Sequence, residues 1–399
     1  MEIEYLSESN AAEWEAFAAT SSSAWFRHTL AWQKYSACCR FDSNTRNFSF
    51  MVKQNGRIQA IVPLLAEYSY PEMTFDCFAM YGDYTPLPAF ADDDEVRKSS
   101  VVEAIRSEVA AIAAREGIRY GKFIVDPLIS LPYFRDFSWF NMLEEGASVS
   151  FGTTNVVDLT APEDEILRRM RKGHKAAIKQ VIRDGGYRVD VFDASNITMD
   201  KMLRFKEIHR IDAGRQTRTD ASWECMYEWV ASGCGCLVML WLESLGDYGA
   251  AALIMHYKKA AYYASYGILD SGFLNGHAGD IIQWEAIRHL KAAGIGIYEM
   301  GDNYFGLVPV VSAGVGAGSG SGSGSGAGSG SGSGSGVGAG VPETADAYAS
   351  AKPSAASPQS PTISVPTISD NDRKLLEIAK YKRGFRSAEI PKIKFRKTY

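Results

Sequence analysis

No stretch of the 399 residues approaches the roughly 18 uninterrupted apolar positions that a membrane helix needs. The start, MEIEYLSESN, is acidic and lacks the basic opening and apolar centre of a secretory signal. Cysteine is scarce: Cys38, Cys39, Cys77, Cys225, Cys234 and Cys236 are the whole set. None has the paired C-x-x-C zinc spacing, and Cys234-Gly235-Cys236 is too short and isolated for a metal site. Such thiols read as small buried hydrophobes. The expectation is a cytoplasmic protein without metal and with at most peripheral membrane contact. Familiar catalytic signatures are missing too: no G-x-S-x-G elbow, no H-E-x-x-H, no P-loop, no G-x-G-x-x-G after a strand. The six histidines are scattered and read as packing or surface residues. These absences fit chemistry in which the protein positions two substrates and moves few protons.

Glycine, by contrast, is crowded into one place. Every even position from Gly314 to Gly340 is glycine, and residues 307–371 form a Gly/Ser/Ala/Pro/Thr tract almost without large apolar side chains. The expected organisation is 1–154 and 155–306 as two similar halves, 307–371 as a disordered linker, and 372–399 as a segment completing the second half. The tract then reads as an insertion, with an independent tail on a tether as the alternative. The net charge is −5, yet two patches are basic. Seven Lys or Arg lie between Arg168 and Arg183, and Arg373–Tyr399 carries ten against two acids. A polyanion would be met there, although a solvated helix face explains the first patch equally well.

The pattern of elements is mixed α/β. Asn47–Val52 and Ile58–Leu64 flank a Q-N-G-R turn, a hairpin signal. Val102, Ile105, Val109 and Ile112 fall at helical spacing before Gly117. Thr160 and Glu163 have the spacing of a capping box for the next helix, and a basic helix is expected from Arg168 through Arg183. Strands are expected over 237–243, 249–257 and 260–267, the last two joined at Lys258-Lys259. A helix with Ile282, Ala286 and Leu290 on one stripe and a buried strand over 295–300 follow. Strand pairs followed by a helix and a strand, twice over, argue for two related α/β halves.

Leu274-Asn275-Gly276-His277-Ala278-Gly279 leads into that last helix. Small residues there let a ligand approach unpaired backbone amides, so Gly276, His277, Ala278 and Gly279 are candidates for a coenzyme pyrophosphate, a phosphate or a carboxylate. An ordinary strand–helix connection has the same appearance. Tyr266, on the preceding strand, offers a hydroxyl to a ligand or simply packs.

The run from Tyr262 to Asp302, YYASYGILDSGFLNGHAGDIIQWEAIRHLKAAGIGIYEMGD, resembles the second GNAT-fold half of the Fem-type acyltransferases, which include peptidoglycan-bridge aminoacyl transferases and acetyltransferase-like proteins of polysaccharide gene clusters. RRMRKGHKAAIKQVIRDGGYRV, FRHTLAWQKY with the hairpin ending in IVPLL, and YKRGF at Tyr381–Phe385 agree in order along the chain. The resemblance implies tandem GNAT-like domains and transfer of an acyl or aminoacyl group onto an amine. It implies an acyl-CoA or aminoacyl-tRNA donor and a nucleotide-, polysaccharide- or cell-envelope-linked anionic acceptor, with tRNA as a partner and no DNA. Lys382 matches the lysine of the late F-K-x-G-F motif, which lies by the reacting groups. Arg215, or Arg218 in its place, matches an arginine on substrate phosphate, and Trp32 and Tyr84 match the acceptor side. Departures are Tyr381 for phenylalanine and Phe273 where coenzyme-binding members carry Gln or Arg. The rival readings are a peptidoglycan-bridge aminoacyl transferase and a non-catalytic binding module of a polysaccharide-synthesis assembly.

Overall fold

The computed structural model describes residues 1–41, 43–69, 77–81, 83–91, 95–128, 147–302, 381–385 and 388–398. The Gly/Ser tract expected as a linker lies outside the described residues. In chain order come β1 (Glu2–Tyr5), α1 (Ala11–Thr20), α2 (Leu30–Cys38), β2 (Ser43–Asn47), β3 (Phe50–Gln54), β4 (Arg57–Val62) and β5 (Leu65–Ser69). Short strands β6 (Cys77–Phe78), β7 (Thr85–Pro86) and β8 (Ala89–Phe90) lead to α3 (Glu95–Glu116) and β9 (Tyr120–Val125). Then follow β10 (Ala147–Asp158), α4 (Glu163–Arg169), α5 (Lys172–Asp184), β11 (Tyr187–Phe192), α6 (Met199–Ala213) and α7 (Asp220–Ala231). The last elements are β12 (Gly235–Leu242), β13 (Asp247–Tyr257), β14 (Ala260–Ile268), α8 (Ala278–Ala292), β15 (Ile297–Asp302) and β16 (Ala388–Thr398).

Two sheets organise these elements, the smaller antiparallel and the larger mixed. A 4-stranded sheet has the order β1-β3-β4-β8, and a 12-stranded one runs β11-β12-β13-β14-β15-β10-β16-β9-β6-β5-β2, with β7 also on β9. The expected hairpin forms, with Asn55 and Gly56 both at positive φ, the geometry of a two-residue turn. Its strands are shorter than the sequence suggested. Pro63 follows β4 and has no amide to continue a ladder, and the chain crosses there into β5 of the large sheet. The apolar/basic alternation near the C-terminus is β16, which pairs antiparallel with both β10 and β9. It therefore lies between two strands that are consecutive in the chain.

The helical stripes are buried as their spacing requires. Val102, Ile105, Val109 and Ile112 enter one core, and Ile282, Ala286 and Leu290 enter another beneath α8. Each large aliphatic side chain so buried contributes about 1.5–3 kcal/mol before entropy is counted. The basic helix is different from the expectation. It breaks at Met170 and Arg171, whose ψ angles of 153° and 146° are extended, because Met170 turns into the core and the Arg171 amide donates to the Gly384 carbonyl at 2.9 Å. The Thr160 cap does not form either: its hydroxyl donates to Asp158, and Pro162 begins α4 without a side-chain cap. Among the described residues no helix is long and apolar enough to cross a membrane.

Candidate functional site

β14 and β15 run parallel and pair only through Ala260–Ile297, Ala261–Tyr298 and Tyr262–Glu299. Beyond that point β14 stays with β13 while Gly301 and Asp302 of β15 pair with β10. The sheet thus opens as a wedge between two strands that point the same way. Residues 381–385 supply what stands in it. Lys382 is buried, its Nζ 5.6 Å from the centre of the Tyr263 ring on one side. On the other, a Cβ on Gly301 would lie 2.8 Å from the same nitrogen, so the glycine, at φ +94°, makes room for the ammonium.

Burial pushes the Lys382 pKa down to about 8, against the pull of Asp302 and Glu299 and with a further push from Lys392. At pH 7 it is mostly protonated and poorly hydrated. Lys392, on β16, holds the neighbouring acids, with its Nζ 3.3 Å from Glu299 and 2.5 Å from Asp302. Burial works against its charge, but the two carboxylates outweigh that and raise its pKa. Glu299 also accepts from Thr154 Oγ1 at 2.7 Å, while its Oε2 is buried without a hydrogen bond.

On the other face of β14 a cavity of about 260 Å³ lies among α2, α6, α7 and β14, lined by residues that include Trp32, Tyr35, His209, Arg215, Arg218 and Tyr262. Three of the residues expected on the substrate side, Trp32, Arg215 and Arg218, therefore meet in one place. Trp32 is fixed among aromatic rings, with the buried Arg27 guanidinium 5.8 Å from its own ring. Arg218 is committed to the wall: its guanidinium sits 5.1 Å over Trp223 and reaches His209 Nε2 and Ser265 Oγ, each at 3.4 Å. Arg215 is exposed and has no polar partner among the described residues. Burial, aided by the Arg218 charge, lowers the His209 pKa to about 3, so the ring is neutral at physiological pH.

Tyr84 and Tyr266 are elsewhere. Tyr84 lies beneath Lys394, whose Nζ is 4.9 Å from its ring. A bulge in the β13–β14 pairing puts Tyr266 with Tyr263 on the α8 side of the sheet, where burial raises the pKa of its hydroxyl. Gly276, at φ +83°, ends a tight turn in which Leu274 and Asn275 are also left-handed. The loop is already occupied by protein groups. A Cβ on Gly279 would lie 2.8 Å from Tyr381 Oη, and the Asp280 carboxylate accepts from His277 Nδ1 at 3.0 Å and His174 Nδ1 at 2.5 Å. An anion arriving at the start of α8 would meet that carboxylate in the first turn.

Sequence reasoning missed His209, Lys392 and the His174–Asp280 pair. Their partners lie 9 to 106 residues away along the chain, and helix docking together with strand pairing brings them into contact. Among the described residues no three His, Cys, Asp or Glu side chains gather as a metal site.

A family model described as an acetyltransferase (GNAT) domain matches residues 168–306. Among solved structures, the crystal structure of FemX is 14% identical, with a TM-score of 0.54 over 76% of this chain and 89% of that one. A conserved protein of unknown function from Bacteroides thetaiotaomicron is 10% identical, with a TM-score of 0.52 and all of both chains covered. A tandem GNAT protein from the clavulanic acid biosynthesis pathway is 12% identical over 78% of this chain and 92% of that one, with a TM-score of 0.42. No curated protein matches the chain in sequence. The wedge between parallel strands lies inside residues 168–306, the part of the chain that matches the acetyltransferase (GNAT) domain, and the chain shares its fold with FemX.

Proposed function

We propose that the protein transfers an acyl or aminoacyl group from acyl-CoA or aminoacyl-tRNA to the amine of an anionic, nucleotide- or polysaccharide-linked acceptor in the cytoplasm. The observation that carries this reading is the position of Lys382, a buried cation between Tyr263 and Gly301 in the wedge of the sheet. The acceptor amine attacks the donor carbonyl, whose oxygen becomes negative as the new C–N bond forms. An ammonium held ready in a dry site stabilises that oxygen more than the neutral carbonyl before it, and such a group is worth about 2.7–4 kcal/mol of barrier. Collapse expels the CoA thiolate or the tRNA ribose oxygen, which takes up the proton that the amine gives away.

The aromatic cavity supports an anionic acceptor. Arg215, exposed and without a polar partner among the described residues, is the group assigned to the acceptor's phosphate, and Arg218 stiffens the wall behind it. The test is thermal stabilisation by acetyl-CoA, free CoA, bulk tRNA and a panel of nucleotide-sugars. One donor-class ligand and at least one nucleotide-sugar should each raise Tm, the second effect disappearing in Arg215→Gln. Absence of any donor-class shift would leave a binding protein and overturn transfer.

A further inference from the structure

Lys382 has an unusual support. Among the described residues it lies within 381–385, and the Gly/Ser-rich tract ends eleven positions before it in the sequence. What holds the segment comes from two helices far away in the chain. The His174 ring of α5 packs against both aromatic side chains of the segment, 5.1 Å from the centre of Tyr381 and 4.4 Å from that of Phe385. It also lies close against the turn between them: a Cβ on Gly384 would be 2.0 Å from His174 Cδ2 and Nε2. The backbone closes the same contact, with the Arg171 amide donating to Gly384 O at 2.9 Å, Gly384 N to Tyr381 O at 2.9 Å and Phe385 N to Lys382 O at 3.2 Å.

The ring itself is oriented by Asp280. Its Nδ1 lies 2.5 Å from Asp280 Oδ1, and the second carboxylate oxygen is taken by His277 Nδ1 at 3.0 Å. Both partners are nearly closed to water, His174 at 14% side-chain exposure and Asp280 at 7%, so the bond is not competed away by solvent. Asp280 stands in the first turn of α8, an element fixed by the buried side chains of Ile281, Ile282 and Ile287. A rigid helix thus aims a carboxylate, the carboxylate aims an imidazole, and the imidazole grips the turn that carries the lysine.

We propose that Asp280 and His174 are positioning residues that hold the 381–385 turn so that Lys382 stands in the wedge between β14 and β15. This rests on the reading of Lys382 given above and adds its mechanism of placement. Orientation by a second group is the same logic by which a carboxylate fixes a catalytic or metal-binding histidine. His174 needs no substrate contact for this role; it acts through the lysine.

The test needs no substrate. The full-length protein is labelled with limiting acetic anhydride from pH 6 to 11, and acetylation of each lysine is read by mass spectrometry. In the wild type, Lys382 should titrate near pH 8 and label slowly beside the exposed Lys34, while Lys392 stays unlabelled. In Asp280→Asn and in His174→Phe, which keeps a ring between Tyr381 and Phe385, the Lys382 midpoint should move up by at least one pH unit with Lys392 still protected. An unchanged Lys382 midpoint in both variants overturns the proposal. Release of Lys392 together with Lys382 overturns it as well, since that is general loosening. If one variant does not fold, the other carries the same expectation, and His174→Gln, which keeps a polar partner for Asp280 but loses the ring, tests the grip separately. A wild-type Lys382 that labels like Lys34 would instead refute the buried-cation reading itself.

Discussion

Lys382 Nζ stands 5.6 Å from the centre of the Tyr263 ring, on the face where β14 has parted from β15. The two residues are 119 positions apart in sequence, and the turn that carries the lysine is held at the break between α4 and α5 by the Arg171 amide. A cation placed there is costly to the fold and useful to a reaction that builds negative charge on oxygen. That tension gives the first prediction.

At pH 7 the lysine is charged and desolvated, so its folded pKa of about 8 lies below the ordinary 10.5. The unfolded chain binds more protons between those values, and stability therefore rises with pH from about 8 to 10.5. Lys382→Met removes the buried charge and should be more stable than the wild type at pH 7, by on the order of 1–3 kcal/mol in urea unfolding. The same variant should lose transfer activity. A Lys382→Met protein less stable than wild type would contradict the account of this charge.

The catalytic role proposed for the ammonium also fixes the shape of the alkaline limb. Transfer should fall as pH rises through about 8. Lys382→Arg, which keeps its charge to far higher pH, should retain part of the activity and lose that limb. A pH–rate profile unchanged in Lys382→Arg would assign the limb to some other group.

Lys392 answers the buried Glu299 and the half-exposed Asp302, and Glu299 Oε2 already lacks a hydrogen bond. Lys392→Met should cost about 3–5 kcal/mol, since it strands a buried carboxylate. Adding Glu299→Gln should restore part of the loss. Additive losses in the double variant, measured by urea unfolding, would show that the two side chains do not act as a pair.

His209 makes the second pH prediction. Its pKa falls from 6.5 to about 3 because it is buried and faces Arg218. The unfolded state takes up the proton first, so stability should decline as pH drops from about 6.5 toward 3, and His209→Gln should flatten that slope. Arg218→Gln relieves one cause of the shift, and the His209 ring should then titrate at higher pH by NMR.

Local signals in the sequence carried far. The Asn55-Gly56 turn, the stripe of α8 and the alternation of β16 were all legible, because each depends on neighbours within a few residues. Reading the basic stretch as one helix failed for a long-range reason: the extended backbone at Met170 and Arg171 is set by core packing and by Gly384, 213 residues on from Arg171. Lys382 was reachable through the YKRGF resemblance alone. Its wedge, the arginine cavity and the His174–Asp280 bond arise from strand pairing and helix docking, which no local pattern encodes.

The most direct test of the account is formation of an amide product. Acetyl-CoA and a mixed aminoacyl-tRNA pool are each offered with amine-bearing nucleotide-sugars, and the product is measured by mass spectrometry in wild type and in Lys382→Ala. The account predicts turnover with one donor class in the wild type and a loss of about 100-fold or more in the variant. Equal turnover by the two proteins would contradict it.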